Sequence, residues 1–306
     1  MKKIFFALVL LVVIMLASVY LFIPGKLKIE ATATVNAALP AVSRLLSDNE
    51  TWRKFWPDTG FLKLDDETYS INGKFFNVFN IDISSEKDSI NSLLNLLLLK
   101  SDPLTINWSG ELISSNNPFI KIAQYRKARS IEKNMNSILN GMKNFMEQTK
   151  NIYGFDIKQT KVKDSVLIST RQLFDHYPTV KDVYDMIQSL KEYIAVNEAK
   201  EEGSPMLNIF YTDSLHYEAM TAIPVDRKLP LTDKFAPKFL LKGGDILEAE
   251  VKGGYYKIGS ALKELENYKN DYRLNSPAIP YQLLITDRSK ESDTTKWITR
   301  LHYPVN

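Results

Sequence analysis

Residues 204 to 306 carry the same punctuation twice, and this repeat restricts the fold more than any other feature of the chain. The first copy reads Ser204-Pro205, an apolar run, Thr212-Asp213, a second strand-like run and Pro224-Val225. The second reads Ser276-Pro277, an apolar run, Thr286-Asp287, another run and Pro304-Val305. A helical pattern precedes each copy. Val180, Val183, Ile187 and Leu190 return 75 positions later as Tyr255, Ile258, Leu262 and Leu265. Tyr217, Ala219, Thr221 and Ile223 return 80 positions later as Trp297, Thr299, Leu301 and Tyr303. Helical spacing followed by two strand-like runs, twice over, implies a duplicated strand-helix-strand-strand unit. Two such units can pair into one sheet with a cleft along their pseudo-twofold axis, a place suited to a small molecule.

Three pieces of this half carry a family resemblance: the helix entry Gly253-Gly254-Tyr255, the strand Pro280-Tyr281-Gln282-Leu283-Leu284-Ile285-Thr286-Asp287, and the ending Trp297-Ile298-Thr299 with Tyr303-Pro304-Val305. In order and spacing they resemble the GyrI-like small-molecule-binding domain, also called the bacterial effector-binding domain. The resemblance covers residues 154–306. It implies an acidic side chain on a strand of the second repeat, facing cationic ligands. Gln282 stands at that position here, and Asn208, 74 residues earlier, is read as its counterpart in the first repeat. Two neutral amides offer donors and acceptors without charge, so the family's preference for cations is not expected to carry over. Glu218, beside Tyr217, is the candidate for a carboxylate. Tyr211, Tyr217, Tyr255, Tyr256, Tyr281 and Trp297 are expected as aromatic walls, suited to flat or apolar ligands. With Gln282 and Glu218 they form the expected ligand site. The alternative for each ring is plain packing of helix on sheet.

The chain opens with Ile4–Ile23, 20 uncharged and mostly apolar residues behind Lys2-Lys3. Twenty helical residues span roughly 30 Å, the thickness of a bilayer's hydrocarbon. A cleavable signal normally has a shorter apolar core ending in small residues, whereas this run ends in Tyr20-Leu21-Phe22-Ile23-Pro24. An uncleaved single-pass anchor in the cell membrane is therefore expected, with a signal peptide as the alternative. Lys2 and Lys3 precede the run and Lys26 and Lys28 follow it, so the positive-inside rule leans only slightly toward an extracytoplasmic body.

The next segment mixes signals. Leu27–Val35 alternates apolar and polar residues as a half-buried strand does, and Ala37–Leu46 reads as a short helix. Trp52, Phe55 and Trp56 either line a pocket mouth or seal a core. Strand-like runs are expected at Lys74–Ser84, Ile90–Leu99 and Leu104–Ile113, although Leu93–Leu99 reads equally as a helix turn. Arg126–Lys150 is the clearest helix, with Ile131, Met135, Ile138, Leu139, Met142, Phe145 and Met146 on one face. Its three methionines suit either an adaptable pocket wall or an ordinary core. Ala31-Thr32-Ala33-Thr34-Val35, Ala41-Val42, Trp52 to Trp56-Pro57 and the long closing helix are similar to the helix-grip domain of the polyketide cyclase and START-like (SRPBCC) superfamily. That resemblance implies a curled sheet, a long helix across it and an apolar cavity for hydrophobic molecules. It brings no universal catalytic residue. The expected architecture is α+β: an anchor over residues 1–26, a helix-grip domain over 27–150 and a tandem-repeat effector-binding domain over 151–306.

Chemistry beyond binding is hard to find. Cysteine is absent, which excludes disulfides and thiolate catalysis. The three histidines, His176, His216 and His302, lack metal-ligand spacing and are expected at the surface or at sheet edges. Gly243-Gly244 and Gly253-Gly254 read as turns and not as a phosphate loop. A formal net charge of +3 with no basic helix gives no footprint for nucleic acid. No catalytic, metal or cofactor residues are expected, and a protein partner cannot be named from these residues. The function expected is non-catalytic binding of a small organic or hydrophobic ligand at a membrane. The alternative is a hydrolase or cyclase acting in one of the two cavities, with Glu218 or a cleft tyrosine as acid or base.

Overall fold

The computed structural model describes residues 2–58, 60, 62–85, 89–98, 103–163, 165–212 and 216–306. Leu99, Asp213 and the side chains of Lys2 and Lys3 lie outside the described residues. The chain is α+β, with two curled antiparallel sheets and seven α-helices among the described residues. It divides into two compact units, Met1–Gln148 and Thr149–Asn306.

The first unit begins with α1 (Lys2–Phe22), whose side chains point outward along almost its whole length. Its stretch Ile4–Phe22, with a mean hydropathy of 3.0, is long and apolar enough to cross a membrane. Then come β1 (Lys26–Val35), α2 (Leu39–Leu46), α3 (Asn49–Phe55), β2 (Lys63–Leu64), β3 (Glu67–Phe75), β4 (Val78–Ser84), β5 (Ser89–Leu97) and β6 (Leu104–Ile113). The six strands lie in the order β1-β6-β5-β4-β3-β2. The run expected as one strand over Lys74–Ser84 is a hairpin, because Phe76 takes the left-handed conformation (φ 52°) and reverses the chain between β3 and β4. The leucine run resolves as strand: Leu94 and Leu96 are buried while Leu93 and Leu97 face outward, a period of two.

The long helix α4 (Pro118–Met146) packs along β1. It starts eight residues before Arg126. Asn117 caps it by accepting from the backbone N–H groups of Phe119 and Ile120, and Pro118 fits the first turn without losing a bond. Gly141 lets α4 approach the end of α3, where a Cβ would collide with the Phe55 carbonyl. Trp52, Phe55 and Trp56 are buried and close the core, with the Trp52 and Trp56 indoles donating to the carbonyls of Leu46 and Lys63. Tyr69, Phe79, Trp108, Met135 and Met142 are buried in the same unit. The methionine face is thus core.

The second unit contains α5 (Thr149–Tyr153), β7 (Ile157–Lys161), β8 (Ser165–Phe174), α6 (Val180–Val196), β9 (Met206–Tyr211), β10 (Tyr217–Val225), β11 (Ala236–Leu240), β12 (Asp245–Lys252), α7 (Tyr255–Asp271), β13 (Tyr281–Leu284) and β14 (Ile298–Val305). Its sheet runs β11-β8-β10-β9-β13-β14-β12-β7. Read outward from β9 and β13, the order is the same in both directions. The duplicated unit is therefore present as β8-α6-β9-β10 and β12-α7-β13-β14. The two copies meet where Leu207 pairs with Gln282 and Met206 with Leu283. Outside the expected repeat, β11 edges the first copy's β8 and β7 edges the second copy's β12. A Thr179–Asp182 capping box starts α6, and Gly254 precedes α7.

Candidate ligand-binding site

Successive residues of a strand point to opposite faces of its sheet. In the second unit one face carries the helices. Ile168, Leu207, Ile223, Val225 and Leu284 pack there against Val183, Ile187, Leu190 and Ile194 of α6. The strand registers place Tyr211, Tyr217, Ala219, Gln282, Thr299 and Leu301 on the same face. Near the start of α7 this face turns aromatic. Ring centroids run Tyr211–Tyr217 at 4.5 Å, Tyr217–Tyr177 at 5.5 Å, Tyr177–Tyr255 at 5.6 Å and Tyr255–Trp297 at 5.3 Å. Tyr211, Tyr177 and Tyr255 are 55%, 45% and 37% exposed, so solvent reaches the row along its length. Trp297 is buried at its end, its indole donating to the Glu291 carbonyl at 2.8 Å.

Behind the row sits Arg288, only 5% exposed. It comes from the segment that follows β13, and its backbone N–H donates to the Tyr184 hydroxyl of α6 at 2.7 Å. Its guanidinium lies 4.8 Å from the Trp297 ring centroid and 5.9 Å from that of Tyr255. One nitrogen, Nη2, donates to Gln282 Oε1 at 3.2 Å and to Thr299 Oγ1 at 2.7 Å, while Nε is buried without a partner. Among the described residues no carboxylate pairs with it. Burial holds the guanidinium below its ordinary range, and the groups that oppose this are the Tyr255, Tyr184 and Tyr177 hydroxyls. Burial pushes those three phenols up, so they are neutral. Asp287, next in sequence, turns instead to Ser289 and Lys290.

The structure thus brings together Tyr211, Tyr217, Tyr255, Gln282 and Trp297 of the expected site and separates the rest. Tyr281 adjoins Gln282 and points to the other face. Glu218 adjoins Tyr217 and does the same, so it offers no carboxylate to the row. Tyr256 is 91% exposed and forms no wall. Asn208 is not the counterpart of Gln282. The register across the axis pairs Gln282 with Leu207, which is 75 positions earlier like the helices, and Asn208 faces away. Sequence reasoning missed Arg288, Tyr177, Tyr184 and Thr299. The usable signal was Thr299 at the position of Ala219 in the first copy.

The opposite face holds an apolar hollow of about 290 Å3 lined by Met206, Met220, Phe239, Ile279 and Tyr281. Asn208 stands in it, its amide donating to the Pro280 carbonyl while its Oδ1 lacks a partner. Beside it, His302 bridges the Tyr281 hydroxyl and Glu248, each at 3.0 Å. His302 is therefore no surface residue, and burial lowers its pKa below the usual histidine value.

No protein-family model matches the sequence, and no curated protein matches it. Several solved structures resemble it. The EcmrR C-terminal domain is 12% identical, covering 50% of this chain and 98% of that one at a TM-score of 0.41. SAV2435 bound to tetraphenylphosphonium is 12% identical, covering 49% of this chain and 93% of that one at 0.33. The di-domain ARO/CYC BexL from the BE-7585A biosynthetic pathway is 10% identical, covering 91% of this chain and 85% of that one at 0.32. Similarity at this level leaves function to be read from the side chains.

Proposed function

We propose that the chain is a membrane-anchored binding protein without catalysis, and that its second unit holds a small, flat organic molecule against the aromatic row beside α7. The observation that carries this is the row itself: five rings from Tyr211 to Trp297 in edge contact, three of them open to solvent, ending on a buried cation. Rings in such a row present π-faces and edges to a planar ligand. Glu218 lies on the far face, so this residue offers the row no carboxylate for acid or base work. The outward-facing apolar length of α1 supports a single membrane span, with the body outside the cytoplasm as the orientation.

Native mass spectrometry of the detergent-solubilised full chain is the test. A small molecule that co-purifies with the wild type and is absent from Tyr177→Ala supports the reading. A chain that carries nothing and binds no flat compound refutes it. Membrane-pellet fractionation and C-terminal phosphatase fusions check the anchor: recovery in the soluble fraction would remove the span, and an inactive phosphatase would reverse the orientation.

A further inference from the structure

We infer that the ligand of the aromatic row is an anion, a small planar carboxylate that Arg288 would bind through its free Nε. This rests on the row being the binding site and adds the chemical class. The argument starts from the cost of burying a charge. A guanidinium removed from water without a counterion is strongly unfavourable, and proteins ordinarily supply a paired carboxylate. Here the described residues supply none: Nη2 is met by the amide oxygen of Gln282 and the hydroxyl of Thr299, and the neutral Tyr255 hydroxyl is a further hydrogen-bond partner of the guanidinium. The rings of Trp297 and Tyr255 offset part of the cost through their faces, at 4.8 and 5.9 Å. They bring no net negative charge. Nε remains within the site, buried and unpartnered.

A carboxylate is the complement of such a group. The Nε–H would give one carboxylate oxygen a charge-assisted bond, a kind about twice as strong as a neutral one. Of the phenols around Arg288, Tyr184 already donates to the Thr286 carbonyl, whereas the neutral Tyr177 and Tyr255 hydroxyls can donate to the ligand's oxygens. The aromatic body of the ligand would lie along Tyr177 and Tyr255, whose partial exposure gives it a path from solvent. A cationic ligand meets the opposite situation, because the face of Trp297 is already taken by the chain's own cation.

The experiment uses three probes with one body and three charges: benzoate, benzamide and benzylammonium. Each is titrated calorimetrically into the full chain in non-ionic detergent, with empty micelles as blank. Benzoate should bind about 10- to 100-fold more tightly than benzamide, and benzylammonium least. Arg288→Gln should abolish the preference, and Arg288→Lys should keep part of it. Equal binding of benzoate and benzamide, sensitive to Tyr177→Ala, would overturn the anion inference and leave the binding site standing. Tighter binding of benzylammonium, or its appearance in Arg288→Gln alone, would overturn it in favour of a self-occupied cation cage. Failure of all three probes to bind would count against both the site and its ligand class. Selectivity of the wild type decides these cases even where a variant does not fold.

Discussion

Beside the axis of the second unit, the first repeat buries Leu207 and Ala219, and the second repeat buries Gln282 and Thr299 at the equivalent places. The frame around them is otherwise kept, except that the first copy buries Thr221 where the second has Leu301. Helix positions repeat at 75 residues, outer-strand positions at 80, and Ile209 next to Ala219 answers Leu284 next to Thr299. A duplicated scaffold needs its apolar positions in both copies, because each half covers the other. Gln282 and Thr299 are polar and buried in the second copy only. Their neighbour explains this: both polar groups end on the guanidinium of Arg288. The second copy thus holds a buried charge with two polar partners, and the first copy has none at the equivalent places.

The strongest way to break this comparison is to give the second repeat the residues of the first. Gln282→Leu combined with Thr299→Ala leaves Nη2 of Arg288 buried with neither of its acceptors. Removing the partners of a buried charge costs about 3–5 kcal/mol. Urea unfolding should show a loss of that size, and adding Arg288→Met should recover most of it, since the three sites are in contact and couple. A double variant as stable as the wild type would mean that Arg288 is not held there. The converse exchange should cost less. Leu207→Gln buries a neutral amide with no guanidinium to meet it, a loss of about 1–3 kcal/mol. A larger loss than that of the double variant would show that the asymmetry of the axis is not a matter of charge.

The repeat was legible because its signal is redundant. Spacing of apolar residues, paired Ser-Pro and Pro-Val punctuation and a helix entry all pointed to one unit. The site was legible only in part, for two reasons. The first is strand parity. Tyr281 beside Gln282 and Glu218 beside Tyr217 cannot share a wall, and that much the residue numbers already contain. The register that sets Leu207 opposite Gln282 also corrects the one-residue slip that put Asn208 there. The second reason has no remedy in a single sequence. Arg288 stands in Thr286-Asp287-Arg288-Ser289-Lys290, a polar run that reads as a solvated loop. The backbone bond to Tyr184 and the guanidinium's bonds to Gln282 and Thr299 hold its side chain inward. In the first unit the hairpin at Phe76 hid for a like cause: a left-handed phenylalanine carries no turn signal.

Gln282→Glu should have the smallest effect on stability at neutral pH and sharpens the comparison through its pH dependence. It places a carboxylate within reach of Arg288, where the wild type has an amide oxygen at 3.2 Å. The gain from pairing and the cost of drying a second charge roughly cancel, so the change near pH 7 should stay within about 1 kcal/mol. Titration reveals the pair. Beside a guanidinium the new carboxyl is held below its unfolded value of about 4.3. Its contribution is then present above that pH and lost as the pH falls through the lower, folded value. The stability of the variant minus that of the wild type should therefore decline in acid. Benzoate binding should weaken across the neutral range as well, because the guanidinium is already satisfied. A difference that grows in favour of the variant as the pH falls would mean that burial outweighs pairing and raises the carboxyl. That result would place Arg288 too far from residue 282 to act on it, and the charged half of the axis would lose its centre.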